Sequence, residues 1–152
     1  MKAIDKILLP DEQILYRTKK HLIIFFLPII WTIVTFIFLF NPNPLIVKIS
    51  FAPAIAAVVT WIKQWLDYIT SEFVLTNKRI IMKEGFFIRH SNEMRLATVS
   101  NMTINQGILG QMLDYGTVVI NPFGGNNDVF SEIEHPYEFQ KQTQMELDKV
   151  VK

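Results

Sequence analysis

Apolar and polar residues are unevenly distributed along the chain: between Lys20 and Lys63 the only charged residue is Lys48. Within this stretch, residues 22–40 form nineteen consecutive uncharged positions. A helix of that length spans about 28 Å at roughly 1.5 Å per residue, close to the ~30 Å hydrocarbon thickness of a bilayer. The pattern therefore predicts a first membrane-spanning helix. We expect an uncleaved anchor rather than a signal peptide, because the run is too long and no small-residue cleavage site directly follows it.

A second apolar stretch follows a predicted turn. The two Asn-Pro steps at residues 41–44 do not continue a helix. Residues 45–65 are again apolar, and Lys48 and Lys63 lie near the ends, where their amines can reach lipid headgroups. We predict a helical hairpin over residues 21–66, with a re-entrant or surface-lying segment as the alternative for its second half.

Basic residues flank the predicted hairpin and predict its orientation. Residues 1–20 carry five basic side chains against three acidic ones, whereas the short inter-helix loop offers Lys48 alone. Since Lys and Arg concentrate in short cytoplasmic loops, we expect a multi-pass protein of the plasma (inner) membrane with both termini in the cytoplasm. The lipid bilayer is its first predicted partner.

After residue 66 the pattern changes from helical to alternating. Period-two alternation predicts about six short strands, over residues 68–75, 79–83, 86–94, 99–106, 116–121 and 129–133. Met102 and Ile104 share one face of their strand, and Val118 and Ile120 are predicted to point inward. Such a pattern is typical of a sheet with one buried face.

The chain ends with a predicted amphipathic helix. Its apolar face has spacings of four, four and three, and consists of Phe139, Thr143, Leu147 and Val150. The sequence thus predicts an α+β protein, in which an N-terminal transmembrane helical hairpin is followed by a β-sandwich or partly open barrel with a C-terminal helix. Three parts are predicted: a cytoplasmic N-terminal segment (1–20), the hairpin (21–66) and a cytoplasmic β-rich domain (67–152).

Composition excludes several classes of function. The chain has no cysteine, which removes disulfides, thiolate nucleophiles and cysteine-ligated metals. Residues 67–152 carry eight basic and eleven acidic side chains, so no basic nucleic-acid face is expected. His21, His90 and His135 lie in three distant segments without metal-binding spacing. We therefore expect no enzyme activity, no cofactor, no metal and no nucleic-acid partner.

Several motifs of the β-rich part carry a resemblance to a known family. They are EFVLTNKR at 72–79, Gly85, Glu93, INQGILG at 104–110 and DYGT at 114–117, together with LPDEQIL at 9–15. In this combination the sequence resembles the bacterial pleckstrin-homology-like (PH-like) domains of the membrane-flanked type, bacterial PH domain type 2. The resemblance implies a PH-like sandwich or barrel with a C-terminal helix, and it implies no enzyme activity.

Two sets of residues are candidates for function. Candidate contacts to lipid headgroups are Arg17, Lys19, Lys20, Lys63, Lys78 and Arg79. Candidate contacts to a protein partner or to another copy of the chain, in two predicted loops, are Ile108, Leu109 and Phe123. The sequence favours a membrane-anchored interaction module. An anionic-lipid-sensing or lipid-handling domain is the alternative, and the basic residues are also explained by membrane topology alone.

Overall fold

The computed structural model describes residues 4–5, 7–85 and 90–150, and the chain divides into two compact units. One unit, Leu22–Ile69, is helical. The other consists of the chain on either side of it, up to His21 and from Thr70 onward, and contains the strands. The combination of helices with antiparallel sheets confirms the predicted α+β class.

The helical unit begins with a short 3₁₀ turn. Its elements are the turn at Leu22–Phe25, α1 (Phe26–Leu39), α2 (Pro44–Ile49) and α3 (Phe51–Thr70), of which the last residue belongs to the other unit. Pro28 lies in the first turn of α1. A backbone N–H has no intrahelical partner there, so this proline does not kink the middle of the helix.

The Asn-Pro-Asn-Pro segment forms the predicted turn. The side-chain oxygen of Asn41 accepts a hydrogen bond from the Asn43 N–H at 3.0 Å. The side-chain oxygen of Asn43 in turn accepts one from the Leu45 N–H at 3.0 Å and caps α2. Pro44 occupies the first turn of α2, where its missing N–H leaves no acceptor unpaired.

The second apolar stretch extends beyond its predicted end. It is interrupted at Ser50, between α2 and α3. Pro53 explains the interruption, because it lacks the N–H that would bond to the carbonyl four residues earlier. With no further proline or glycine to stop it, α3 continues to Thr70. The predicted helix end at residue 65 and the predicted strand start at Tyr68 are therefore wrong, and the strand begins two residues after the helix ends.

Both helical stretches, Leu22–Leu39 and Pro44–Thr70, are long and apolar enough to cross a membrane. In each, only 17% of an 18-residue apolar segment is buried within the protein. They contact each other through aromatic and hydroxyl groups. The Phe25 and Trp61 rings stack with their centroids 5.5 Å apart, and the Trp61 indole N–H donates to the Thr32 hydroxyl at 3.1 Å.

Within the described residues the other unit has two antiparallel sheets. The strands are β1 (Ile14–Thr18), β2 (Glu72–Thr76), β3 (Arg79–Glu84), β4 (His90–Arg95), β5 (Val99–Asn105), β6 (Tyr115–Pro122) and β7 (Asp128–Glu134). Sheet A has the order β1-β2-β3-β4 and sheet B the order β5-β6-β7. A short helix, α4 (Ile108–Leu113), connects β5 to β6, and α5 (Pro136–Val150) ends the fold. The predicted strand 86–94 corresponds to β4, and its first four residues lie outside the described part.

The helical unit is inserted between two paired strands. β1 precedes it, β2 follows it, and the two strands are antiparallel neighbours, with Thr18 opposite Phe73. The prediction that the β-rich part lies wholly after the hairpin is therefore corrected, since residues up to His21 belong to the same unit as the sheets. β1 has five residues, and its pairing partner lies more than fifty positions away, so no local pattern revealed it.

The main core combines both sheets with α5. Val118, Ile120 and Phe139 are fully buried in it, and Met102 is nearly so, as predicted. Thr143 is also buried and Leu147 packs against the core, which confirms the predicted face of α5; the side chain of Val150 lies outside the described part.

A smaller core covers the opposite face of sheet A. Val74 of β2 and Ile81 of β3 are fully buried there against Ile4, with Leu8 and Ile14 packed around them. The two central strands of sheet A are thus buried on both faces. The chain before β1 supplies the cover, which explains why this segment belongs to the β unit.

Candidate interaction surfaces

The turn between β2 and β3 holds the chain that precedes β1. The Thr76 hydroxyl accepts a hydrogen bond from the Arg79 N–H at 3.0 Å and helps to close the turn. Asn77 binds the preceding chain twice: its side-chain oxygen accepts from the Gln13 N–H at 3.0 Å, and its amide donates to the Asp11 carbonyl at 3.2 Å. The Thr-Asn-x-Arg part of the first motif therefore binds the LPDEQIL motif within the same chain.

Arg79 completes this connection with a nearly buried ion pair. Its Nε donates to Glu12 Oε1 and its Nη2 to Glu12 Oε2, both at 2.9 Å. The Glu12 side chain is fully buried and that of Arg79 is 15% exposed. The guanidinium also donates to Glu93 at 2.5 Å and to the Ile7 carbonyl at 3.0 Å. Arg79 is therefore occupied by partners within the chain.

The ion pair keeps both partners charged. Burial would raise the pKa of Glu12, but hydrogen bonds from Arg79, the Leu9 N–H and the Thr76 hydroxyl outweigh it and lower that pKa below its ordinary value of 4.5. The hydrogen bond to Glu12 raises the pKa of Arg79. At neutral pH the pair is fully ionised, as a bidentate carboxylate–guanidinium contact requires.

A shallow cleft lies beside this ion pair. It has a volume of about 410 Å³ and is lined by Leu9, Lys78, Arg79, Glu93 and Arg95. The Lys78 amine donates to the Pro10 carbonyl at 3.1 Å. The Arg95 guanidinium is exposed and makes no hydrogen bond or ion pair with the rest of the described chain. The cleft thus has two exposed cationic groups beside a neutralised one.

Two further candidate headgroup residues are paired with carboxylates, as Arg79 is. Arg17 forms ion pairs with Asp5 and, at 3.0 Å, with Glu72. The Lys20 amine lies 2.9 Å from Glu84. These contacts occupy the positive groups that a phosphate would have to bind.

The other candidate headgroup residues lie in different places. Lys19 follows β1, close to where the chain leaves for the helical unit, and its carbonyl accepts from the Glu134 N–H at 3.0 Å. Lys78 and Arg79 lie at the far end of β2, about 14 Å along the strand at roughly 3.4 Å per residue. Lys63 lies in α3, in the helical unit. Within the β unit the candidate set is therefore divided between the two ends of sheet A.

The second motif fixes α4 against β6. The Gln106 amide donates to the Tyr115 carbonyl at 3.0 Å. Gly110 packs so closely that a Cβ added to it would lie 2.6 Å from the same carbonyl oxygen. A Cβ on Gly116 would lie 2.7 Å from the Gln106 side chain. Asp114 ends the helix in the left-handed conformation, with φ 55°. Gly110 and Gly116 are thus explained by packing, whereas a Cβ on Gly107 would meet no atom within 4 Å.

α4 presents apolar side chains to solvent. The exposed fractions are 81% for Ile108, 59% for Leu109, 76% for Met112 and 48% for Leu113. The sequence singled out the first two and missed Met112 and Leu113. The signal was present in the run ILGQML, which has four large apolar residues in six positions.

Phe123 belongs to a different surface. It is 72% exposed and follows β6, whereas α4 precedes that strand. The two ends of β6 are about 23 Å apart at roughly 3.3 Å per residue. The candidate partner contacts therefore do not form one patch.

In the described part of the chain, no group of three or more His, Asp or Glu side chains is arranged to hold a metal ion. His135 pairs with Asp114, and the His21 ring stacks on Tyr115 with the centroids 5.2 Å apart. Both histidines lie near the start of β6. The absence of enzyme activity stays a prediction.

A family model described as "Bacterial PH domain" matches residues 21–149. The matched range includes the helical unit as well as β2 to β7 and almost all of α5. No curated protein and no solved structure matches the chain.

Proposed function

Because this chain belongs to the bacterial PH domain family, we propose that it is a membrane-anchored, non-catalytic interaction module. It presents its PH-like β unit at the cytoplasmic surface of the membrane to a protein partner or to copies of itself. The observation that carries the proposal is the insertion of the apolar helical unit between β1 and β2, which are hydrogen-bonded neighbours. Three residues separate β1 from Leu22, and one residue separates α3 from β2, so both connections to the proposed anchor are short.

The chemistry of the helical unit supports anchoring. Its surface is apolar, and the helices are too poorly covered to serve as the core of a soluble domain. Three hydroxyls are satisfied within their own helices: those of Thr32, Thr35 and Thr60 donate to the carbonyls four residues earlier at 2.7–2.8 Å. Hydrocarbon requires such internal pairing, because it offers no hydrogen-bond partner.

The contacts of the motif residues support a binding role rather than a catalytic one, because these residues hold parts of the chain together. The Thr-Asn-x-Arg turn binds the preceding chain, and the Gln-Gly-x-x-Gly segment packs α4 on β6. These contacts stabilise the fold. We therefore assign partner binding to exposed surfaces such as the turn at Phe123. A shared fold alone does not define the ligand.

Intrinsic fluorescence tests the anchor, because the three tryptophans, Trp31, Trp61 and Trp65, all lie in the helical unit. In proteoliposomes made from the full chain, we expect brominated acyl chains to quench the emission. We also expect the protein to stay with the membrane during alkaline extraction. Emission unaffected by brominated lipid, together with release into the aqueous phase, would contradict the proposal.

Photo-crosslinking in native membranes tests the interaction role. A photoreactive amino acid at Phe123 should give a discrete product of higher mass, identified by mass spectrometry as a partner or a second copy. The control position is Lys141, whose side chain is 68% exposed on α5. No discrete product from Phe123, or identical products from both positions, would count against the proposed role of this turn.

Sensing of anionic lipid is the second candidate function, and the cleft with Lys78 and Arg95 favours it. For the full chain in nonionic detergent, phosphatidylglycerol should then raise the unfolding temperature more than phosphatidylcholine does. Arg95→Gln should reduce the difference, whereas the control Lys141→Gln should not. Equal effects of the two lipids would exclude this candidate.

A further inference from the structure

We propose that α4 is a second membrane contact, which inserts its exposed apolar face into the interfacial region of the bilayer that anchors the chain. The side chains that carry the contact are Ile108, Leu109, Met112 and Leu113. The inference rests on the membrane anchoring proposed above and adds a site to it. It assigns Ile108 and Leu109 to lipid rather than to a protein partner.

The shape of α4 suits a small apolar wedge. At about 100° per residue, positions i, i+1, i+4 and i+5 fall on one side of a helix, and these are the positions of the four exposed apolar residues. Gly110 faces the protein, where a side chain would collide with the Tyr115 carbonyl. α4 is therefore held against β6 with its apolar side directed away from the β unit.

The position of α4 favours lipid, rather than a protein, as the partner of its exposed apolar face. Tyr115, two residues after the end of α4, stacks on His21. His21 is the last residue before Leu22, where the apolar helical stretch begins. α4 therefore lies at the end of the β unit from which the chain passes into its anchor. A protein partner would have no comparable reason to be at this end.

Hydrogen bonds fix this exit point to sheet B. The His21 N–H donates to the Glu132 carbonyl at 2.7 Å, and Lys20 forms an isolated β-bridge with Ile133. The Thr18 hydroxyl donates to the Glu134 carbonyl at 2.7 Å. Since β7 pairs with β6, the distance between the exit point and α4 is set by the sheet.

Neighbouring side chains suit the boundary between water and lipid. Tyr137, at the start of α5, is 58% exposed. It follows Pro136, whose ring packs close to Gly116 beside Tyr115. Tyrosine is enriched at membrane interfaces. Asp114, the nearest carboxylate in sequence, is hydrogen-bonded to the His135 ring.

The absence of cysteine from the sequence permits a clean test with single-cysteine variants of the full chain in proteoliposomes. An environment-sensitive fluorophore is attached at Met112→Cys in α4. The matched control is Phe123→Cys, which is similarly exposed (72% against 76%) at the other end of β6. A third variant, Ile29→Cys in α1, reports the anchor itself. Spin-labelled lipids carry the quencher either just below the headgroup or near the end of the acyl chain.

The expected result is a blue-shifted probe at Met112 that loses fluorescence to the shallow quencher, a probe at Phe123 that loses none, and a probe at Ile29 that is quenched from within the bilayer. Quenching at Ile29 with a water-exposed, unquenched probe at Met112 would overturn the inference and leave the anchor intact. A blue shift at Met112 without lipid quenching would also overturn it, in favour of contact with protein. An unquenched probe at Ile29 would overturn the anchor and the inference together.

Discussion

The guanidinium of Arg79 and the carboxylate of Glu12 form a bidentate ion pair although 67 residues separate them in sequence. The inserted helical unit accounts for most of that separation. The pair joins the chain before β1 to the start of β3, at the end of sheet A remote from the insertion. It therefore secures the N-terminal cover of sheet A without contacts from the helical unit.

Replacing Glu12 should destabilise the β unit. Glu12→Gln keeps the side-chain volume but leaves the Arg79 charge, which is only 15% exposed, with Glu93 as its remaining carboxylate. We expect a loss of about 3 kcal/mol, at the low end of the range for breaking a buried ion pair. The loss is measured by following the strand signal in circular dichroism during unfolding in detergent. Tryptophan fluorescence is not suitable, because all three tryptophans lie in the helical unit. Glu138→Gln, at a half-buried site on α5, should cost less than about 1 kcal/mol. Equal losses would contradict a special role for Glu12.

The same ion pair predicts a pH dependence with a definite sign. Because folding lowers the pKa of Glu12 from its ordinary value of 4.5, the unfolded chain binds the proton more readily. The stabilisation is present above about pH 4.5 and is lost as the pH falls through the lower, folded pKa. The difference in unfolding temperature between the unmodified chain and Glu12→Gln should therefore decrease as the pH falls below about 4.5. A difference that stayed constant down to pH 3 would contradict this assignment.

The sequence predicted the strands and the helix whose apolar residues repeat with the period of the element and form one buried face. Val118 and Ile120 alternate with partly buried positions. Phe139 lies on the apolar face of α5, so periodicity alone located these residues in the core. β1 was missed because it is short and is defined by its pairing with β2. The helical end of α3 was missed because Tyr68 and Ile69 also fit the start of an alternating run.

The candidate site was less predictable, because long-range contacts decide which side chains remain available. Arg17, Lys20 and Arg79 are ordinary basic residues in sequence, and their carboxylate partners became evident from the fold. Ile108 and Leu109 were selected as apolar loop residues. The fold adds that Tyr115, two residues after their helix, stacks on His21, the last residue before the helical unit. Composition identified the residues, and topology determines what they can contact.

Adding a methyl group at Gly110 should displace α4. In Gly110→Ala the new Cβ would lie 2.6 Å from the Tyr115 carbonyl oxygen, and backbone atoms cannot move aside as a flexible side chain can. We expect a destabilisation of about 1–3 kcal/mol from overpacking, which exceeds the gain of at most ~1 kcal/mol from helix propensity. Gly107→Ala is a matched control, since its Cβ would meet no atom within 4 Å. Thermal unfolding followed by circular dichroism compares them, and equal stability of the two variants would contradict the close packing of α4.

Cysteine labelling should reveal the orientation of the anchor. Pro42→Cys lies in the turn between α1 and α2, and Phe123→Cys lies in the β unit. An impermeant thiol reagent applied to intact spheroplasts should label position 42 at once and position 123 only after lysis, because Arg17, Lys19 and Lys20 favour retention of their flank in the cytoplasm. The ion pairs of Arg17 and Lys20 with acidic residues do not change this expectation, since Asp and Glu contribute little to orientation. The cysteine-free parent chain supplies the background. Immediate labelling of position 123, with position 42 protected until lysis, would reverse the orientation and place the PH-like unit outside the cytoplasm.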